Sequence, residues 1–324
     1  MSDRLKQILS PISCHLDSVD GRIKQHLDTG VPLIDDSAMH LFSAGGKKIR
    51  ASLVLLAAGL NGEITDRAID LAAAVEIIHA ASLIHDDIID KSFLRRGNIA
   101  VHSKYGDKVA VLAGDYLYSA AVKIAVTNSN SRILDSISRA SLEMVKGELY
   151  QMEYSNIDRI SEEHYYNIIE RKTGRLMASS AYIGAIEGGL DEKDADLLYD
   201  MGLDLGYAFQ IVDDTFDFSE SSGITGKDVG NDFRDGKITL PFIFILNSGN
   251  DQNKKMLIDF AKSPDEADWD SLKGMIHSSG SFKFSFEKAR QFAQKAKKRI
   301  ELFSDSDNKV ILTELINFVV EREY

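Results

Sequence analysis

Proline is scarce in this chain of 324 residues: there are four, Pro11, Pro32, Pro241 and Pro264, and none between Pro32 and Pro241. Ordinary proteins carry roughly 5% proline. A chain that avoids the chief helix breaker for so long, with 44% hydrophobic residues, is expected to be an all-helical globular protein. Cysteine is nearly absent. Cys14 alone excludes an internal disulfide and a disulfide scaffold. Uninterrupted apolar runs are short, the longest near residues 51–58 and 240–246, so no bilayer-spanning run is expected. The opening Met-Ser-Asp-Arg-Leu-Lys has no apolar stretch behind its charges, which argues against a signal peptide and for a cytoplasmic location. Positive charge is also in deficit, 38 Lys+Arg against 50 Asp+Glu for a net −12. That balance disfavours nucleic acid as a partner, and anionic membrane as the main one. A phosphate ligand would need metal ions or local basic clusters.

What the chain does have is apolar spacing with the helical period in most windows and almost no alternation of period two. The pattern predicts helices over 51–59, 66–90, 107–126, 131–153, 162–188, 192–219, roughly 239–248, 283–303 and 308–321. Polar stretches at 219–237 and 247–253 are loop-sized. With no fixed-period repeat and no long linker, one domain over residues 1–324 is the economical reading.

Two acidic clusters carry the first chemical signal. His-Asp-Asp-Ile-Ile-Asp at 85–90 is a D-D-x-x-D in which Asp86 and Asp90, four residues apart, share a helix face. Apposed carboxylates repel unless a cation or proton settles between them, and oxygen-only ligands favour magnesium or manganese. A solvated acidic helix end is the plain alternative for one such motif. Residues 213–217 (Asp-Asp-Thr-Phe-Asp) repeat it, with Gln210, Asp213, Asp214 and Asp217 at i, i+3, i+4 and i+7. Both clusters end apolar helices, a setting that suits the rim of a buried pocket.

Basic residues sit beside the acids. Gly45-Gly46-Lys47-Lys48-Ile49-Arg50 has a glycine pair able to end one helix and open another, a suitable phosphate cradle. Arg95-Arg96-Gly97 follows the first cluster, Lys172-Thr173 opens a helical segment, and Gly226-Lys227-Asp228 and Gly236-Lys237 follow the second. Taken singly, each is an ordinary solvated cation. Together with the carboxylates they describe a metal–diphosphate site, for two diphosphates or for one held from two sides.

These stretches, with Glu-Ile-Ile-His at 76–79, Gly-Asp-Tyr-Leu at 114–117 and Gly-Lys-Ile-Thr-Leu-Pro at 236–241, resemble the trans-polyprenyl diphosphate synthases from about residue 20 onward. Seven motifs occur in that family's order. Ala51, where the family usually has proline, and Lys48, where it often has arginine, depart from the pattern. The resemblance implies the isoprenoid synthase fold, a bundle of ten or more helices around a deep central cavity, and a homodimer. It implies that Asp86 and Asp90, with Asp87, and Asp213, with Asp214 and Asp217, hold about three magnesium ions, manganese being an alternative. Lys47, Arg50, His79 and Arg96 would hold isopentenyl diphosphate. Arg95, Lys172, Thr173, Gln210, Lys227 and Lys237 would hold the allylic diphosphate. Asp86, Asp90, Lys172, Asp213 and Lys227 would carry the catalysis.

The implied reaction is consistent with these charges. Cleaving an allylic C–O bond places negative charge on diphosphate, where cations stabilise it, and leaves a carbocation that must be kept from water. Ala81 and Ser82, just upstream of Asp86, are small. Close packing makes bulk there decisive for tail length, and its absence points to medium- to long-chain products, about C30 to C50. Products of about C15–C20 are the alternative if a deeper residue blocks the channel. A basic stretch, Lys283–Arg299, reads as a solvated face, with transient membrane contact during product release as its rival. A class I terpene cyclase would have an Asn/Ser/Glu metal motif in place of Asp213–Asp217. A non-catalytic subunit of a heteromeric synthase would have lost some of these acids or arginines.

Overall fold

The computed structural model describes residues 2–128, 130–217, 233, 236–263 and 268–321. These residues are all-α apart from one two-stranded hairpin. The chain divides into two compact units, residues 1–142, 176–202 and 297–315 in the first, and 143–175, 203–296 and 316–324 in the second.

In the first unit, α1 (Asp3–Leu9), α2 (Ser13–Leu27), α3 (Pro32–Ser43) and α4 (Ile49–Ala58) precede the long α5 (Asp66–Ile89). The Thr65 side chain caps α5 by accepting from the Ala68 amide. From Leu71 to Ile84 the helix is buried nearly all round, as expected of one that is apolar on every face. Its alanines, among them Ala72, Ala73, Ala74, Ala80 and Ala81, admit the close approach of α7 (Asp107–Asn128), which answers with Ala110, Ala113, Ala121 and Ala125. By length and composition both helices could cross a membrane, contrary to the expectation from uninterrupted runs. Two thirds of the apolar window of α5 is buried inside the protein, the signature of a core helix. Between them β1 (Leu94–Arg95) pairs antiparallel with β2 (Asn98–Ile99), followed by α6 (Val101–Tyr105).

The chain continues through α8 (Ser131–Tyr154), α9 (Glu162–Ile169), α10 (Arg175–Glu187) and α11 (Glu192–Phe216). The single helix expected over 162–188 is interrupted by one π-helical segment, Glu170–Gly174. Helices α12 (Leu240–Ser248), α13 (Asp251–Lys262), α14 (Trp269–Ser278), α15 (Ser281–Ile300) and α16 (Asp307–Glu321) follow. The core of the second unit is aromatic. Phe233 and Phe242 lie 4.7 Å apart, Tyr207 stacks on Phe292 at 4.6 Å, and Tyr165, Ile169, Ile211 and Val212 complete it. On α15, Lys288 pairs with Glu162 at 3.2 Å and Arg299 with Asp200 at 3.6 Å, so part of the basic stretch is neutralised within the protein.

Candidate active site

In the first unit the acidic motif closes α5. Asp86 and Asp90 are half-buried one turn apart, whereas Asp87 is 1% exposed and points inward. Its Oδ1 accepts from Arg95 Nε at 2.7 Å and from the same guanidinium's second nitrogen. Burial pushes the Asp87 carboxyl above the ordinary carboxylate range, with Arg95 pulling the other way. Asp87 therefore anchors Arg95 on β1, and Arg95 is engaged with a carboxylate in this structure. Tyr118 of α7 has its hydroxyl pushed up to about 12 by burial, with the Asp86 charge adding.

The hairpin that carries the two arginines turns through Arg96 and Gly97, both at positive φ (52° and 79°), the requirement of a type I′ turn. Glycine adopts that backbone freely, but arginine is strained there, a cost met at sites where geometry matters. The turn brings Arg96 onto the glycine loop between α3 and α4, where its guanidinium donates to the Gly45 carbonyl. Lys48 in the same loop also has positive φ (49°) and pairs with Asp20 of α2. Glycine at 45–46 does end one helix and precede the next, as expected. His79, two turns before Asp86, is half-buried. Its pKa lies well below 6.5, first because burial disfavours the cation, then because Arg50, Arg96 and Arg95 are near. A neutral imidazole among guanidinium groups can donate one hydrogen bond to an anion without titrating at neutral pH. Lys47, Arg50, His79, Arg95 and Arg96 thus belong to the same unit as the first acidic motif. Ala81 is fully buried, and Ser82 is half-buried with its hydroxyl donating to the His79 carbonyl.

In the second unit the π-helical segment presents Lys172 and Thr173. Such insertions are frequent at functional positions because they re-aim side chains that a regular helix would spread. The segment packs close to α11, where a Cβ on Gly206 would sit 2.6 Å from the Gly174 Cα, so only glycine fits. Thr173 Oγ1 donates to Gln210 Oε1 at 2.7 Å, Gln210 Nε2 donates to Asp214 Oδ1 at 2.8 Å, and Tyr165 donates to Asp214 Oδ2 at 2.7 Å. Asp214 is 6% exposed, while Asp213 and Asp217 are half-buried. Lys172 Nζ donates to Gln151 Oε1 at 2.7 Å and pairs with Glu148, both on α8. A cavity of about 150 Å³ gathers Lys172, Thr173, Gln210, Asp214 and Lys237 against a wall of Ile160, Ile168, Ile169 and Ile238. Five residues singled out from three separate motifs therefore line one cavity. Lys227 lies outside the described residues.

The sequence reading gave no role to Glu76, quoted only within a motif, and missed Glu148, Gln151 and Tyr165. Glu76 Oε1 accepts the Ala51 amide at 3.0 Å, and Glu148 and Gln151 lie three residues apart on one face of α8. Both continue the buried face of Ile137, Ala140 and Met144, and polar side chains on such a face were the available signal, though not for their partners.

All candidate metal donors are carboxylate oxygens. Among the described residues no three metal-ligating side chains are gathered into a cage. Magnesium suits such a site, since it is commonly bound by one or two carboxylates and completed by water and substrate phosphates.

A model of the Polyprenyl synthetase family matches residues 31–277. The chain is 32% identical to an octaprenyl diphosphate synthase of Haemophilus influenzae over 99% of this chain and 97% of that protein. It is equally 32% identical to a short chain isoprenyl diphosphate synthase of Methanothermobacter thermautotrophicus over 99% and 100%. A solved polyprenyl synthase from Caulobacter crescentus, complexed with calcium and isoprenyl diphosphate, superposes with a TM-score of 0.92 at 34% identity, covering 99% of this chain and 97% of that one.

Proposed function

Because the chain belongs to the polyprenyl synthetase family and is a prenyltransferase with the isoprenoid synthase fold, we propose that it joins isopentenyl diphosphate head to tail to an allylic diphosphate, giving an all-trans product of about C30 to C50. The observation that carries this reading is the cavity shared by Lys172, Thr173, Gln210, Asp214 and Lys237, cations and hydrogen-bond donors suited to a diphosphate beside an acidic face.

In this reading Arg95, Lys172, Thr173, Gln210 and Lys237, with Lys227, hold the allylic diphosphate. Lys47, Arg50, His79 and Arg96 hold that of isopentenyl diphosphate. Asp86, Asp90 and Asp213 offer carboxylates to about three magnesium ions, whose chemistry is to neutralise charge on the departing diphosphate. Asp87 serves by fixing Arg95, and Asp214 and Asp217 support Asp213. The cations fix the leaving group where its charge develops, and apolar walls exclude water from the allylic cation. The double bond of isopentenyl diphosphate then attacks, and a proton leaves the new C–C-bonded intermediate. Among the described residues no side chain is placed as an evident base, and the released diphosphate is the group assigned to take it.

We take the chain to act as one catalytic domain and as a homodimer. Support for the dimer comes from two exposed apolar stripes, Leu142, Val145, Leu149 and Met152 on α8 and Leu112, Val122 and Val126 on α7. A short-chain product is the second reading, favoured by the equal identity to the short chain synthase. The test is to incubate the purified protein with magnesium, farnesyl or geranylgeranyl diphosphate and labelled isopentenyl diphosphate, and to size the products by mass spectrometry. Elongation to C30 or beyond supports the reading; C15–C20 products select the second one; no incorporation with any primer, in folded protein, overturns both.

A further inference from the structure

We infer that Tyr165 is a positioning residue for the second acidic motif, holding Asp214 so that the neighbouring carboxylates meet the metal in one fixed orientation. The inference rests on the reading above, in which that motif receives magnesium together with a diphosphate. Tyr165 stands on α9, is 2% exposed, and its ring belongs to the aromatic and aliphatic core of the second unit. Its hydroxyl donates to Asp214 Oδ2 at 2.7 Å across 49 residues of sequence. The other carboxylate oxygen accepts from Gln210, whose amide is itself oriented by the Thr173 hydroxyl. Asp214 therefore has a donor on each oxygen and is buried at 6% exposure.

A buried carboxylate lacking donors would be costly as an anion. With them it stays in place and sets the rotation of α11 at the turn that also carries Asp213. The same chain of hydrogen bonds reaches Thr173, so the metal-facing and diphosphate-facing groups are tied into one network. Groups that orient metal ligands in this way commonly change metal affinity or activity by 10–100-fold when removed.

The substitution Tyr165→Phe deletes one oxygen and leaves the ring in its core. Binding of magnesium is read without turnover, as the rise in melting temperature on titrating magnesium into protein saturated with inorganic pyrophosphate. The expected result is a magnesium midpoint raised about tenfold, with KM for isopentenyl diphosphate unchanged. Asp214→Asn should shift the midpoint similarly, and the double variant should add little, since both changes cut the same link. A merely structural tyrosine would lower the melting temperature and leave the midpoint where it was. That outcome, or additive shifts in the double variant, would overturn the inference. An inert wild type that still binds magnesium and pyrophosphate would sink the enzymatic reading instead, and the midpoint comparison would still decide the role of Tyr165.

Discussion

Lys172 Nζ donates to Gln151 Oε1 at 2.7 Å while its charge is paired with Glu148, so the cation at the centre of the π-helical segment is held from α8. Its side chain is 22% exposed and that of Glu148 13% exposed. The partnership fixes a long flexible side chain before a diphosphate arrives, which lowers the ordering cost of binding. Removing the anion from an ion pair this little exposed costs between the ~1 kcal/mol of a surface pair and the ~3 kcal/mol of a buried one, roughly 5–100-fold. Glu148→Gln is expected to raise KM for the allylic diphosphate within that range and to leave KM for isopentenyl diphosphate unchanged. Equal changes in both constants would show that Glu148 acts through general packing.

Asp86 and Asp87 are adjacent in sequence and separable by experiment. Asp86 is half-buried at the end of α5, whereas Asp87 is buried against Arg95. Chelation of divalent metal should abolish elongation, and Asp86→Asn should reduce kcat/KM by about 10²–10³ with little change in melting temperature. Asp87→Asn should cost about 3 kcal/mol of stability, because it leaves Arg95 without its buried partner. Calorimetric melting of the two variants beside steady-state kinetics checks the division. A stable Asp87→Asn protein would remove the anchoring role.

His79 supplies a pH dependence of known sign. In the unfolded chain its imidazole titrates near 6.5, and in the folded protein well below, through burial and then Arg50, Arg96 and Arg95. Between those values the unfolded state binds more protons, so stability rises with pH. The contribution is present above 6.5 and is lost as pH falls from 6.5 toward the folded value. The melting temperature of the wild type should therefore fall more steeply below pH 6.5 than that of His79→Gln. Parallel curves would show that His79 does not titrate on unfolding.

The long helices were legible because apolar spacing recurs over many turns. α5, α7, α8 and α11 begin and end within three residues of expectation. Helices α1 to α3 escaped notice, as did α13 and α14, because they are short or bury a narrow stripe under polar surface. The π-helical segment was invisible for a different reason. One extra residue per turn shifts the side chains of Lys172 and Thr173 without disturbing apolar spacing on either side. Residue types revealed the charged ends of the site, whereas its supports did not stand out. Tyr165 and Gln151 reach their partners from 49 and 21 residues away, and no local pattern announces such a pairing.

The exposed stripe on α8 gives a test of assembly. Leu149 is 62% exposed in the single chain, with Leu142, Val145 and Met152 along the same face. Leu149→Glu would place a charge in an apolar interface, a cost of several kcal/mol when desolvated. A dimer dissociation constant weaker by about a hundredfold, or about 3 kcal/mol, is expected. Light scattering across a dilution series reads it. A wild type that is monomeric throughout would refute the dimer, and an unaffected dimer would move its interface elsewhere.

In the proposed reading, product length turns on which side chain upstream of Asp86 meets the growing tail. Ala81 and Ser82 are both small, but they stand differently: Ala81 has no exposed surface, while Ser82 is half-buried with its hydroxyl turned back to the His79 carbonyl. A phenylalanine at Ser82 would replace a side chain that already keeps part of its surface exposed. A phenylalanine at Ala81 would have to displace packed neighbours on α5, at about 1–3 kcal/mol for overpacking. Ser82→Phe is therefore expected to shorten products to about C15–C20 at nearly unchanged stability, by adding bulk where close packing leaves room for the chain. Ala81→Phe is expected to lower the melting temperature first. Mass spectrometry of the products beside thermal melts separates the two. If Ala81→Phe shortens the product without loss of stability while Ser82→Phe leaves it unchanged, the hydrocarbon runs along the Ala81 side of α5.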